Sequence, residues 1–541
     1  MGSPRAIRWF WAVVLAAVVA GTFFRAEHVG RRIFWQDETF TALRVAGQTD
    51  PGFRAIFDGR VHTVAEVNAF QRYDPSRGIM STIHGLVTEE PQHPPAFYAL
   101  EHYWAMAFGN SIASLRAPAL IFSVLAILAI AWFGWELSGS SVVAGCAAAL
   151  MAVSPFFVDY AGQAREYSLW VLWIALTSAL LLRAMRRMRT SDWIAYAVVM
   201  MLALYSDLLM VCVLFAHAVY VIARHRDVRS LRVFAFAACA SLLAFSPWAV
   251  ICVRQRHQIA VETGWALSVY PPKLMLEKWL FNTGTVLFDA EYANMLLAPL
   301  AGLLLLVLAY AVFRFLRDEN ASTRWFVIAL GGVIALQQIL TDVITHGHES
   351  TTARYLAPLW VALLVVLALF FGRGIAGGFR GGWIFAFCAV LALAGFSNAI
   401  NSAAVAWWDN NDNYPSTTIA QRINDTSAPL VLSEGHWTEV LVLSHYLEPQ
   451  TRFVLFKSKP PSAWPPAANT FLLAPSTRTL DALASRPRLD LVQVPIRPLA
   501  SDAMLSFHDA LRKAQADVPG AQRLRWQNNF LFRLESRVAT R

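Results

Sequence analysis

Apolar residues along this chain gather in runs of roughly 17 to 22, separated by short arginine-bearing stretches and by three long polar ones. At about 1.5 Å of rise per residue, one such run forms a helix that crosses the ~30 Å hydrocarbon core of a bilayer. The pattern predicts about eleven spans, over 7–25, 116–136, 141–157, 166–186, 191–206, 207–224, 231–252, 293–315, 324–343, 354–371 and 382–400. The third and fifth are short. Ile7–Phe24 follows Arg5 and Arg8 as a signal-peptide core would, but no clear small-residue cleavage site follows and many spans come after it, which favours a retained first span.

The three long polar segments are 26–115, 253–292 and 401–541. In the first, the aromatic stretch from His93 to Trp104 is too short and polar to cross a membrane. It reads as a helix lying at the interface, with Pro94 and Pro95 near its start. In the last, short apolar runs at Leu430–Ser433, Arg452–Leu455, Thr470–Leu473 and Leu489–Val494 alternate with helical stretches around 437–447, 476–486 and 502–516. That alternation predicts a small α/β domain, punctuated by turns at Pro460–Pro465 and Pro519-Gly520. Arg523–Gln527 and Phe530–Leu534, joined through Asn528-Asn529, read as a closing hairpin.

Composition agrees. Of 541 residues, 57% are hydrophobic and 15% charged, and the mean hydropathy is +0.44, well outside the soluble range of about a quarter charged. The net charge of +9 does not point to nucleic acid, because no basic patch with interleaved aromatics is present. The arginines instead report topology. Arg183, Arg186, Arg187 and Arg189, then Arg224, Arg226, Arg229 and Arg232, then Arg314, Arg317 and Arg324, then Arg373 and Arg380 all fall in alternate loops. By the positive-inside rule those loops and the N-terminus are cytoplasmic, which puts the three long segments outside. The five cysteines are scattered through apolar runs without metal-ligand spacing and read as small core residues.

Four clusters carry candidate chemistry, all on the outer side. Asp37 and Glu38, in Trp35-Gln-Asp-Glu-Thr39, are adjacent carboxylates at a membrane helix mouth, between Phe34-Trp35 and Phe40. One suits a general base and its neighbour an orienting group or a metal ligand. Asp159, Arg165 and Glu166 cluster in the 154–167 connection, where an arginine can pair with those carboxylates or with a phosphate. His346, His348 and Glu349 have part of a zinc-site spacing but no third histidine, and Arg354 beyond them suits a lipid-linked phosphate. His93, His102, Arg116, Lys273 and Lys278 read equally well as interfacial anchors, and Asp207 as structural. Glu434-Gly-His-Trp437 is a candidate acceptor contact in the outer domain. The C-terminal segment holds no GxGxxG or Walker loop, so nucleotide binding there is not supported.

Five motifs stand in register over residues 7–400. They are Trp35-Gln-Asp-Glu38; His93-Pro-Pro95 with Tyr98, leading into Phe108-Gly109; Leu115-Arg-Ala-Pro118; Ser154-Pro155 with Gln163-Ala-Arg165 and Tyr167; and Arg354-Tyr-Leu with Pro358. On these the chain resembles the GT-C superfamily of membrane glycosyltransferases. It is most similar there to the bacterial relatives of protein O-mannosyltransferases and of lipid A aminoarabinose transferases. The resemblance implies a GT-C transmembrane domain over 1–400, with loop 26–115 carrying interfacial helices, and a periplasmic α/β domain over 401–541. It implies an enzyme of the bacterial inner membrane. A sugar would pass from a polyprenyl-phosphate donor to a periplasmic glycolipid, polysaccharide or protein, with inversion, and a divalent cation is compatible with the family.

By the same resemblance Asp37 would be the base, with Glu38 beside it. Arg165 and Arg354 would meet the donor phosphate, and, apart from the resemblance, Lys273 and Lys278 are further candidates for it. His93, Tyr98, Asp159, Glu166, Tyr167, His346, His348 and Tyr355 would line the substrate site. Many relatives have Ser-Gln-Glu-Ala-Arg where this chain has Ala161-Gly-Gln-Ala-Arg165, which leaves Glu166 or Asp159 to supply the second acidic group. The rival expectation is a transporter or flippase of lipid-linked sugars, which would show paired repeats and broken helices at the midplane.

Overall fold

The computed structural model describes residues 4–225, 227–289, 297–377, 380–402, 404, 407, 415–434, 437–457, 469–484, 489–494 and 531–536. Among these, eight helices are long and apolar enough to cross a membrane: Ala6–Glu27, Ile112–Ser138, Tyr167–Arg187, Val228–Arg254, Ala298–Asp318, Ala321–Thr345, Ala353–Ala376 and Arg380–Asn401. The chain is a multi-pass membrane protein. A ninth predicted span is a helix pair, Ser141–Val153 and Pro155–Ala161, bent by 58°. The remaining two, Thr190–Leu204 and Met210–Arg224, have 15 residues each. That is about 22 Å of helix, short of a full crossing.

The bend has a local cause. Pro155 has no N–H to continue the helical ladder, and its ring disfavours a helical residue before it, so the helix ends at Val153. The carbonyls freed at that end are then satisfied by distant side chains. Arg25 donates to Met151 O at 2.9 Å and to Ala152 O, and Asn398 Nδ2 donates to Val153 O at 2.7 Å. The Ser154 hydroxyl donates to Val286 O and the Phe156 N–H to Thr285 O. The segment from Pro155 to Glu166 turns across the end of the bundle that carries the first loop.

The long first loop folds into short helices: Gln36–Val45, Asp50–Arg54, Val64–Ala69, Ile79–Glu89 and Pro95–Phe108, the last covering the aromatic stretch expected to be helical. Buried Arg44 ties them together by pairing with Asp50, Glu89 and Glu90. The loop also supplies a strand, β1 (Asp58–Thr63), which the sequence reading passed over. Five strands follow in the C-terminal region: β2 (Leu430–Glu434), β3 (Arg452–Phe456), β4 (Thr470–Leu473), β5 (Leu489–Gln493) and β6 (Leu531–Ser536). They form one sheet in the order β1-β3-β2-β4-β6-β5, with β2, β3 and β4 parallel and the other pairings antiparallel.

Alternation along the strands divides the core into two faces. Val431, Phe453, Leu455, Phe471 and Leu473 pack with Leu43, Phe53 and Val67 of the first loop. Leu432, Val454, Phe456 and Leu472 form the opposite face with Leu483 and Leu534. The predicted helices near 437 and 476 are present as Trp437–Leu443 and Thr477–Ala484. The expected helix at 502–516, the strand at 523–527 and the turns at 460–465 and 519–520 lie outside the described residues.

Candidate active site

Asp37 and Glu38 sit in the first turn of the Gln36–Val45 helix, where the unpaired N–H groups favour carboxylates. Their environments differ. Glu38 is 0% exposed. Arg116 Nε donates to its Oε1 at 2.7 Å, Arg116 Nη2 to its Oε2 at 2.6 Å, and the Ala164 N–H to Oε1 at 2.8 Å. The same guanidinium also holds the carbonyls of Val29, Arg32 and Ile33. Glu38 is therefore a clamp joining the first loop, the Ile112–Ser138 helix and the 154–167 connection, and the catalytic role expected for it does not fit a carboxylate so fully engaged. Beside it Glu101 is also fully buried. Burial, then the Glu38 charge, pushes its carboxyl well above the usual carboxylate range.

Asp37 instead keeps part of its carboxylate at the surface, with 18% of its side chain exposed, and Arg354 Nη2 lies 3.7 Å from its Oδ2. Arg354 is set against the rings of Trp35, Trp265 and Tyr355, at 5.8, 5.8 and 5.3 Å from the guanidinium carbon. These π faces favour the cation without neutralising it. Trp265 is a contact the sequence reading missed, because nothing in the 253–292 segment marks one aromatic above the others. His348 fixes that segment: its Nδ1 meets Ala266 O at 2.8 Å, and its ring packs on Tyr270 and Trp265.

Arg165 approaches from the other side. Its Nη1 donates to the Asp37 carbonyl and to Thr41 Oγ1, both at 3.3 Å. Its Nη2 faces His93 Nε2 at 3.2 Å and Glu166 Oε1 at 3.3 Å, and its guanidinium lies over Tyr167. His93 Nδ1 is 2.9 Å from the same Glu166 oxygen. Burial pushes the Glu166 carboxyl up, but Arg165 and His93 outweigh this and hold it at about 2. Buried polar atoms without a hydrogen-bond partner among the described residues gather on this side: Trp35 Nε1, Tyr98 Oη, the Gln163 amide, Arg165 Nε and Glu166 Oε2.

Other predicted residues fall elsewhere. Asp159 is buried against Arg32 at 2.7 Å and belongs to the bundle, not to a substrate surface. Lys273 has 88% of its side chain exposed and faces Glu277 one turn on, away from the Asp37 cluster. Lys278 lies near His348. His346 is exposed at the left-handed C-terminus of the Ala321–Thr345 helix, and no paired His346–His348 arrangement forms. Glu434 is held by Ser476 and Thr479, and Trp437 packs on Phe40 and Phe53; Gly435 and His436, between them, lie outside the described residues. Among the described residues no three His, Cys, Asp or Glu stand together to hold a metal. With Glu38 engaged and Arg354 beside Asp37, these side chains do not fit a protein-held divalent cation.

The C-terminal domain reaches the site directly. The Phe34 N–H donates to the Tyr446 hydroxyl at 2.5 Å, His445 packs on the Phe34 ring at 4.7 Å, and Ile33, Trp35 and Val442 share a small core. No feature of the C-terminal sequence alone pointed to Tyr446 or His445.

Residues 92–251, which include His93, Arg116, Arg165 and Glu166, match the family described as dolichyl-phosphate-mannose-protein mannosyltransferase. Comparison with curated protein sequences gives no match. Among solved structures, ArnT from Cupriavidus metallidurans bound to undecaprenyl phosphate superposes with a TM-score of 0.54 at 14% identity, covering 92% of this chain and 97% of that one. The same protein in the apo state gives 0.51 at 14% identity, with the same coverage. A looser likeness, at 0.46 and 14% identity over 84% of this chain and 65% of the other, is to the oligosaccharyltransferase AglB from Archaeoglobus fulgidus. The chain thus has, over nearly its whole described length, the GT-C fold seen in ArnT.

Proposed function

We propose that this protein is a membrane glycosyltransferase that moves a sugar from a polyprenyl-phosphate donor to an acceptor on the outer, periplasmic side of the bacterial inner membrane. The observation that carries the reading is the partly exposed Asp37 carboxylate between two arginines, Arg354 at 3.7 Å and Arg165 on its own backbone carbonyl. The fold is shared with ArnT bound to undecaprenyl phosphate, which supports a lipid-phosphate leaving group. The arginine-rich loops support a cytoplasmic N-terminus and an outward site.

In this reading Asp37 takes the proton from the acceptor hydroxyl as its oxygen bonds to the anomeric carbon. The bond from that carbon to the phosphate oxygen breaks on the opposite face, inverting the centre, and the electron pair leaves with polyprenyl phosphate. Arg165 and Arg354 meet the growing charge, where a preorganised cation is worth most. The rings of Trp35 and Tyr355 shield the site from water. Glu38 and Arg116 fix the helix that presents Asp37.

The test is transfer of radiolabelled sugar from a polyprenyl-phosphate donor by protein purified in detergent. Asp37→Asn should lower the rate by about 10²–10⁴-fold while insertion and melting temperature stay as in the wild type. Unchanged transfer by that variant sinks the assignment of the base. Uptake of the lipid-linked sugar across vesicles without any transfer would favour the transporter instead.

A further inference from the structure

We propose that His93 is a positioning residue that aims the Arg165 guanidinium, and that it does so only as a neutral imidazole with its proton on Nδ1. The inference rests on the functional reading above, which makes Arg165 a partner of the donor phosphate. The geometry fixes the tautomer. Glu166 Oε1, 2.9 Å from Nδ1, is an ionised carboxylate oxygen and only accepts; Arg165 Nη2, 3.2 Å from Nε2, only donates. The ring must then donate from Nδ1 and accept at Nε2, which a doubly protonated imidazolium cannot do.

The arrangement suits an arginine that has to keep its charge for a ligand. A second carboxylate in this place would hold the guanidinium as well but would cancel more of its charge. A neutral ring acceptor orients one Nη2 hydrogen and leaves the charge in place. Arg165 is in turn the link to the base, through its Nη1 bonds to the Asp37 carbonyl and Thr41. His93 is itself held by a backbone bond to Glu90 O, just ahead of Pro94 and Pro95 at the mouth of the Pro95–Phe108 helix. The titratable and charged groups facing it are Arg165 and Glu166 from the 154–167 connection, and Tyr98 from its own helix with ring centroids 6.0 Å apart. Asp207, from the turn before the Met210–Arg224 helix, lies close by. His93 has 22% of its side chain exposed. When it gains a second proton, Nε2–H confronts Nη2–H and Arg165 loses its setting.

Glutamine at this position separates the two roles, since its amide offers one donor and one acceptor and does not titrate. The experiment measures polyprenyl-phosphate binding by quenching of tryptophan fluorescence, together with sugar transfer. Both are followed from pH ~5 to ~8, the window in which imidazole changes charge, for wild type, His93→Gln and His93→Ala. The phosphate's own titration in this range is common to all three proteins, so the differences between them report on His93.

Wild-type binding should weaken by about 10-fold or more toward the acid end beyond the phosphate's own contribution, the loss expected when a charge-assisted hydrogen bond is broken. His93→Gln should bind within about 3-fold of wild type at pH ~8 and lack that extra acid limb, as the amide keeps both bonds. His93→Ala should raise KM for the donor by about 10-fold at neutral pH with little change in KM for the acceptor. An acid limb in His93→Gln equal to that of the wild type overturns the proposal, as does a folded His93→Gln without binding at pH ~8. If His93→Ala does not fold, the His93→Gln profile decides alone. Failure of the wild type to bind polyprenyl phosphate at any pH would overturn the donor assignment and this inference together. Normal binding with a pH profile indifferent to His93 would overturn this inference alone.

Discussion

One carboxylate of the Asp37–Glu38 pair reaches the outer surface and the other is sealed inside, because consecutive residues on a helix point about 100° apart. The sequence marks the pair as costly in a membrane protein, but adjacency alone cannot say which member turns inward. That depends on Arg116, some eighty residues later, which takes both oxygens of Glu38. A buried bidentate pair of this kind contributes little compared with an apolar replacement, yet breaking it strands a charge at a cost of about 3–5 kcal/mol. Glu38→Ala should therefore lower the melting temperature of the purified protein markedly and reduce transfer as a consequence of unfolding. A melting temperature equal to the wild type's would show that the pair does not hold the helix. The same limit explains Asp159 and His346. Their residue types suggest chemistry, while Arg32 and a helix terminus decide where they sit.

At the scale of elements, apolar run length recovers most of the helices, since the bilayer imposes it on any sequence that spans. It fails at the bent helix, where an unbroken apolar run, 141–157, conceals the break at Ser154-Pro155. The break is held open from outside by the Pro4–His28 helix, which brings Arg25 to the exposed carbonyls. Close approach there depends on Gly21: a Cβ added at Gly21 would lie 2.0 Å from Ala152 O. Gly21→Ala should therefore push the two helices apart and cost about 1–3 kcal/mol, as overpacking does. The measurement is thermal denaturation in detergent; an unchanged midpoint would mean that the contact is looser than described. The strand β1 escapes the sequence reading for another reason. Asp-Gly-Arg-Val-His-Thr has little apolar alternation because it is an edge strand exposed along nearly its whole length.

In the molecule as a whole, the first loop and the C-terminal region are one folded body standing on the bundle. The boundary drawn near residue 400 follows the membrane. The sheet follows β-pairing, and through it the C-terminal domain holds both ends of the segment that carries Asp37. Leu43 packs into the sheet face, and Tyr446 takes the Phe34 N–H. The pairing of Val61 with Val454 makes this testable. Cysteines placed at those two positions should cross-link on oxidation and leave sugar transfer within about 2-fold of the reduced protein, because opposite residues on paired strands lie within disulfide reach. Failure to cross-link would remove β1 from the sheet.

That shared sheet also sets the order in which the protein is made. Phe34 waits for Tyr446, 412 residues further along the chain. At about 5–20 residues per second of synthesis, the segment around Asp37 stays incomplete for roughly 20–80 s after it leaves the ribosome. Through that interval the nascent chain has its membrane helices but not the clasp on its reactive carboxylate. A ribosome that stalls late in the message therefore leaves an inserted protein whose reactive segment has never been assembled.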